Sequence, residues 1–362
     1  MDALILVKTI RGLENVAASR LKELFPNAEV LPRFKGYLGV VLVRNIEPTS
    51  ENVDIVKKRI LEAEKIFPIL AQCSANLESI VDTVSNIAKE YIEKTETFAV
   101  RTTRRGSHQY TSIDVNIAAG SAVQKATGAS VDLTFPDKIV WIEIFQDEAY
   151  ISITSGAEEH KKMWPGKPYV RRFLSKIVVG QIPYVGVLEA VKKMGVRIGR
   201  AAQTFEIGAL YVTPFKPIEG DVLKLFLEGL HEGIKSRYEL QKKAYHEKPR
   251  KVPVFVQDLY QFVRDNMDKP IIVTSTRGDP LVSIKDEIID IFKSSKKIIV
   301  LIGAHEGVPT GLFRYASLVV DLAPGITIST DHALTSAIIG LITVLEEGGI
   351  FEIYTGKKKK SR

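Results

Sequence analysis

The sequence predicts an α/β protein whose second half is built on a parallel sheet and whose first half holds two small α+β modules. Three observations carry this. In the second half, apolar runs at Val252–Gln257, Ile271–Ser275 and Ile298–Ile302 alternate with the helical stretches Asp258–Asn266 and Ile284–Phe292. Alternating strands and helices make a parallel sheet. In the first half, short strands and amphipathic helices alternate twice over. Last, Ile298–Ile302 runs straight into the glycine-bearing loop Gly303–Gly311, and Leu318–Leu322 runs into Ala323-Pro324-Gly325 before the helical run Asp331–Glu347. Open parallel sheets hold ligands beyond the carboxyl ends of their strands, where these loops stand.

Composition sets the outer limits. The 362 residues are 45% hydrophobic and 26% charged, ordinary for a globular chain of two or three domains. No apolar run reaches the length of a transmembrane helix. The start, Met1-Asp2-Ala3-Leu4, lacks the basic region of a secretory signal, so a cytoplasmic protein is expected. The single cysteine, Cys73, excludes an intramolecular disulfide and a cysteine-rich zinc site, and no metal is expected. A net charge of +7 is moderate, but its distribution is uneven. Lys161, Lys162, Lys167, Arg171, Arg172 and Lys176 lie together with no acidic residue among them, and Lys357–Lys360 with Arg362 form a basic tail.

Taken in order, Leu4–Lys8 reads as a strand, Leu13–Phe25 as a helix, Gly36–Val43 as a strand and Val53–Ala63 as a helix started by Pro48–Asn52. This first module, residues 1–74, offers no catalytic constellation. The second, residues 75–159, opens with the helix Asn76–Lys94. It continues through the strand Thr97–Arg101, the loop to Gly106, the helix Ile113–Thr127, the short strand Val131–Leu133 and the strands Ile139–Phe145 and Glu148–Ser152. Residues 160–179 read as a basic linker. From 180 onward, Val187–Met194 and Arg197–Glu206 read as two helical stretches, Ala209–Val212 as a strand and Asp221–Lys248 as a long helical insertion.

The second module resembles a THUMP domain, an RNA-binding unit of tRNA-modifying enzymes. The likeness rests on Phe98–Arg101, Arg104-Arg105-Gly106 and Val131-Asp132-Leu133 followed by Pro136-Asp137. It implies that the module before it is ferredoxin-like and that tRNA is the partner. Arg101, Arg104 and Arg105 lie on a strand and its exit, where guanidinium groups can fork onto phosphates and Tyr110 can stack a base. Lys161, Lys162, Arg171 and Arg172 continue the charge.

The last module, 180–362, is similar to the SPOUT methyltransferases. Gly303–Gly311 matches their second signature, and Leu322–Ala337 their third, the loop that enters a trefoil-knotted helix. The resemblance implies S-adenosyl-L-methionine as cofactor and a homodimer formed through this domain. It places the cofactor on Thr274, Ser275 and Thr276; on Ile302, Gly303, Ala304, His305, Glu306 and Gly307; and on Leu322, Ala323, Pro324, Gly325, Ile326, Ile328, Thr330 and Leu334. Glycine at 303 and 307 is expected to let the adenosine approach the backbone.

Other chemistries lack their residues. A zinc deaminase needs two cysteines of a Pro-Cys-x-x-Cys motif, and a P-loop needs Gly-Lys-Ser/Thr. Neither the Ser-Gly-Gly loop of an ATP-pyrophosphatase nor an Asn/Asp-Pro-Pro-Tyr motif is found. The reaction implied is methylation of a tRNA ribose 2′-hydroxyl in the acceptor stem, with a cytidine as the expected acceptor. The arginine of the family's first signature is not aligned here; the nearest stretch, Arg197–Thr204, offers Arg200 and then Arg197. The alternatives are base N-methylation using Asp331, otherwise a helix cap, and a non-catalytic tRNA-binding protein.

Overall fold

The computed structural model describes residues 4–245 and 248–355, apart from the Arg172 side chain. Arg172 and the basic tail Lys357–Arg362 lie outside the described residues. The chain divides into two compact units, one up to Pro165 and one from Gly166 to Thr355.

The first unit opens with β1 (Leu4–Thr9), α1 (Glu14–Leu24), β2 (Glu29–Pro32), β3 (Val40–Arg44), α2 (Ser50–Arg59) and β4 (Ala63–Ile69). These strands form an antiparallel sheet in the order β2-β3-β1-β4. That is the ferredoxin-like arrangement. Two of its strands escape a reading by pattern. β2 is a short edge strand that ends in proline, and β4 mixes Glu64, Lys65 and Pro68 with its apolar residues. Proline at 68 is tolerated because β4 is an edge strand. Strand β3 begins at Val40, not Gly36, because Phe34–Gly36 closes a 3₁₀ turn first.

The second module of this unit comprises β5 (Ala71–Ser74), α3 (Leu77–Tyr91), β6 (Thr97–Arg105), α4 (Ser112–Thr127), β7 (Ser130–Val131), β8 (Lys138–Phe145) and β9 (Glu148–Ser155). Its sheet order is β5-β9-β8-β6-β7. Strand β5 precedes residue 75 yet pairs with β9, so this module begins within the last residues of the expected first one. Asn76 caps α3 through the Ser79 N–H at 2.7 Å, and Thr111 with Asp114 forms a capping box on α4. A core of Leu4, Leu6, Phe67, Ile139, Trp141, Phe145 and Tyr150 joins the two sheets.

The second unit runs β10 (Pro168–Tyr169), α5 (Arg171–Leu174), β11 (Ile177–Gln181), α6 (Leu188–Phe205), β12 (Ala209–Val212), α7 (Gly220–Ala244) and β13 (Val254–Val256). It continues with α8 (Leu259–Arg264), β14 (Ile271–Pro280), α9 (Lys285–Ser294), β15 (Ile298–Ile302), β16 (Leu318–Asp321), α10 (Thr330–Glu347) and β17 (Glu352–Ile353). Six strands form one parallel sheet in the order β13-β12-β11-β15-β14-β16, and β10 pairs with β17. Strand β11 is central and fully buried, so the stretch 160–179 is not a linker throughout.

Residues 188–205 form one helix, where the sequence reads as two. Gly195 falls in the gap between those two stretches, yet with Gly199 it forms a packing face. A Cβ at Gly195 would stand 2.4 Å from the Phe226 carbonyl oxygen, and one at Gly199 would stand 2.3 Å from that of Leu230. Gly229 and Gly233 on α7 meet α6 in the same way, at 2.3 and 2.1 Å from the carbonyl oxygens of Lys192 and Val196. Small residues four apart on both helices let the backbones touch. Tertiary packing here outweighs the helix propensity lost at four glycines.

The order of the last strands shapes the site. β14 lies between β15 and β16, so after β15 the chain must cross β14 to reach its other side. β14 bulges between Thr274 and Asp279, and Gly278 there lies so close to Val319 that a Cβ would meet its backbone at 2.5 Å.

Candidate functional site

The carboxyl ends of β11, β14, β15 and β16 converge on one edge of the sheet. Strand β15 ends fully buried at Ile302, and the chain turns at Gly303. Gly303 and Gly307 face each other: a Cβ on Gly303 would lie 2.7 Å from the Gly307 Cα. The Gly307 N–H donates to the Ala304 carbonyl at 2.8 Å and closes the turn. Gly303 is therefore required by the loop's own fold, before any ligand is considered. Gly307 has φ +75° with open space where a Cβ would stand, and Gly325 has φ +83° with the same openness. These two positions present bare backbone outward.

The neighbouring loops are tied in by their own polar groups. The Thr274 hydroxyl donates to the Leu301 carbonyl at 3.1 Å, the Ser275 hydroxyl accepts from the Arg277 N–H at 3.2 Å, and Thr276 is exposed. The Ala323 N–H donates to the buried Asp321 carboxylate at 3.0 Å, and the Ile326 N–H donates to the Ala323 carbonyl at 2.9 Å. Ala304 and Leu322 are half-buried, while His305 and Pro324 are exposed. The expected apolar wall divides. Ile302 and Leu334 belong to the hydrophobic core, Ile328 is half-buried, and Ile326 is 63% exposed. Glu306 is bound by Lys216 from the loop after β12 at 2.6 Å.

Gln181 at the end of β11 had no place in the sequence reading. The signal was a lone amide closing an otherwise apolar strand. It is fully buried; its amide nitrogen donates to Ile182 at 3.0 Å and approaches the Gly303 carbonyl at 3.4 Å. Its side-chain oxygen is buried without a partner. An unpaired buried acceptor is costly unless something else fills it.

Helix α10 begins beside these loops. Asp331 is its second residue, and Ser329 holds the cap position, so Asp331 is not the helix cap. Its carboxylate is buried and accepts from the Ser329 hydroxyl at 2.8 Å and from the Arg197 guanidinium of α6, also at 2.8 Å. Burial alone raises the Asp331 carboxyl; the Ser329 and Arg197 hydrogen bonds outweigh it and hold it below the ordinary carboxylate range. Thr330 is half-buried at the helix start. Arg200 is not part of this cluster; it donates to the Ser236 hydroxyl on α7 at 2.7 Å.

The basic residues of the first unit are largely engaged within it. Arg105 bonds the buried Glu143 at 2.8 Å and lies over the Phe145 ring, while Lys8 holds the other carboxylate oxygen. That trio joins β1, β6 and β8, so Arg105 is a structural residue and not an open phosphate clamp. Tyr110 is half-buried against the module's core, and its hydroxyl donates to the Ala75 carbonyl. Arg101 donates to the Leu133 carbonyl at 2.7 Å and sits 3.4 Å from Glu159, which also holds Lys161. Arg104 approaches the His108 ring nitrogen at 3.2 Å, and Lys162 is exposed. In the second unit, Arg171 forks onto Glu206 at 2.8 and 3.0 Å. Arg250 joins them by donating to the carbonyls of Glu206, Ile207 and Gly208 at the end of α6.

No helix among the described residues is long and apolar enough to cross a membrane. The chain matches two family models. Residues 74–154 match the THUMP domain, and residues 171–362 match the AF2226-like SPOUT RNA methylase fused to THUMP. It is 39% identical to Uncharacterized protein MJ0421 of Methanocaldococcus jannaschii, over 93% of this chain and 92% of that one. It also resembles a probable tRNA sulfurtransferase of Saccharolobus solfataricus, 34% identical over 31% of this chain and 29% of the relative. A tRNA (guanine(6)-N2)-methyltransferase of M. jannaschii is 29% identical over 39% of this chain and 38% of the relative. A family model covering the whole sheet, helix α10 and both glycine loops, with a THUMP domain ahead of it, decides the assignment: this chain belongs to the SPOUT RNA methylases fused to THUMP.

Proposed function

We propose that the chain is an S-adenosylmethionine-dependent tRNA methyltransferase of the cytoplasm whose acceptor is a ribose 2′-hydroxyl in the acceptor stem. The observation that carries this is the Arg197–Asp331 pair at the start of α10, the helix that the open Gly325 loop leads into. The site fits the cofactor. Gly307 and Gly325, both at positive φ with open space beside them, leave bare backbone for a flat ligand to approach. The residues that hold the cofactor in this reading are Gly303–Gly307 and Leu322–Ile326. When bound, it supplies an electrophilic methyl group.

The chain's own residues do the rest. Arg197 acts by donating hydrogen bonds to the acceptor oxygen as negative charge grows there, while the hydroxyl proton passes to solvent water as the methyl group is taken up. Asp331 fixes the guanidinium's direction, and Ser329 fixes Asp331. In the first unit, Arg101, Arg104, Lys161 and Lys162 provide the tRNA surface. The relatives named for tRNA chemistry, which each share a limited part of their length with this chain, support tRNA as the substrate.

A second reading has its own observation. Asp331 stays ionised at neutral pH, and one relative methylates a guanine N2, so Asp331 accepting a proton from a base nitrogen is the rival. One experiment separates them. The chain is incubated with unmodified tRNA and labelled donor, and the product is digested with alkali. A 2′-O-methyl nucleotide survives as an alkali-resistant dinucleotide; a base-methylated one is released as a mononucleotide and moves the chain to the rival reading. No label in any tRNA overturns both.

A further inference from the structure

We propose that the outward ridge of α6, formed by Lys193, Arg197 and Arg200 and continued by Ser236 on α7, is a docking surface for the phosphodiester backbone of the RNA strand that carries the methyl acceptor. This rests on the methyltransferase reading for the strand's identity, though not for its charge. Positions 193, 197 and 200 recur at helical spacing and share one face. The opposite face, with Val191, Gly195, Ile198, Gly199 and Ala202, is buried.

The charges on this ridge are poorly compensated. Arg197 is matched by Asp331, and Lys192, on the α7 side, by Glu232 at 3.4 Å. Arg200 has only the neutral Ser236 hydroxyl, and among the described residues no carboxylate lies within ion-pair distance of Lys193 or Arg200. Glu189, at the start of the helix, is the one acidic residue of α6. The neighbouring C-terminal half of α7 adds Lys235, Arg237, Lys242 and Lys243 against Glu239, which pairs with Lys242 at 2.7 Å.

The glycine contact gives this surface its rigidity and accounts for α7. Because α6 and α7 run parallel with their backbones touching, Ser236 is held against Arg200, and the arginine side chain is ordered before any ligand arrives. An ordered guanidinium whose partner is a neutral hydroxyl retains its charge for a phosphate, which its fork matches. The ridge leads directly to the Arg197–Asp331 pair, so a strand lying along it brings its sugars to the site.

The test uses the full chain and an unmodified tRNA transcript. The dissociation constant is measured against salt for wild type, Lys193→Ala, Arg200→Ala, Arg200→Lys and the double alanine variant, with binding of the demethylated donor followed by calorimetry. Each alanine should lower the slope of log affinity against log salt by about 0.7 to 0.9, and the double variant by about twice that. Arg200→Lys should keep most of the slope, and donor affinity should not change. An unaltered slope in the double variant overturns the proposal, and so does a loss of donor binding with it. If wild type methylates no tRNA while the double variant still loses slope, the methyltransferase reading falls and this surface stands.

Discussion

Arg197 and Asp331 stand 134 positions apart, and only the fold brings them to 2.8 Å. Neither the spacing in the Arg197–Thr204 stretch nor the Ser-Thr-Asp start of α10 reveals the pair. Both residues were legible as candidates; their partnership was not, because it depends on how α6 crosses the start of α10. The pair gives a graded expectation. Arg197→Ala should lower turnover by about a hundredfold, the usual cost of one lost transition-state donor. Arg197→Lys should recover little, since a single ammonium cannot reproduce the fork. Asp331→Asn keeps an oxygen facing Arg197 and should lose less than about tenfold. A dead Asp331→Asn enzyme with an active Arg197→Ala reverses the roles and favours base methylation. The same carboxyl sets an acid limit. Its folded value is depressed, so the pair contributes stability that is complete above the unfolded value of about 3.9 and is lost as pH falls through the folded value. Acid unfolding of Asp331→Asn should lack that component.

At the scale of elements, α6 shows why pattern and packing part company. Gly195 sits where the sequence suggests a gap between two helices, and glycine lowers local helix propensity by about 1 kcal/mol. The contact that repays this lies on α7, some thirty residues onward, and cannot be seen locally. Gly199→Ala should therefore destabilise the chain even though alanine favours helix. The added methyl falls 2.3 Å from a carbonyl oxygen, so two backbones must separate. The net loss should be about 2 kcal/mol or more, the range of a strained core insertion. Gly220, at the first turn of α7 with open space around it, is the control, and Gly220→Ala should be neutral. Thermal unfolding followed by circular dichroism reads both; equal melting temperatures would mean the helices are not in backbone contact. The parallel strands were far more legible. β15 is a continuous apolar run bounded by lysines and glycine, and nothing except a buried strand suits it. β2 and β4 were not, since edge strands carry weak alternation.

For the whole molecule, the second unit keeps apolar surface that its own core does not use. Val185, Val187 and Leu188 are 60, 76 and 52% exposed, Val282 is 73% exposed, Ile326 63% and Ile339 51%. Single apolar residues on a surface are ordinary, whereas a contiguous exposed patch marks an interface. Ile326 belongs to the glycine loop after β16 and Ile339 to α10, so a second copy placed on them meets the proposed cofactor site. A two-fold dimer covers the same patch on both copies, which suits a chain whose site is open at that edge. Sedimentation at micromolar concentration should give a dimer, and Ile339→Asp should shift it toward monomer, because burying a carboxylate against an apolar partner is costly. The monomeric variant should bind donor more weakly while the first unit's affinity for tRNA persists. A wild-type monomer with full activity would show that each chain completes its own site, and the exposed isoleucines would then need another explanation.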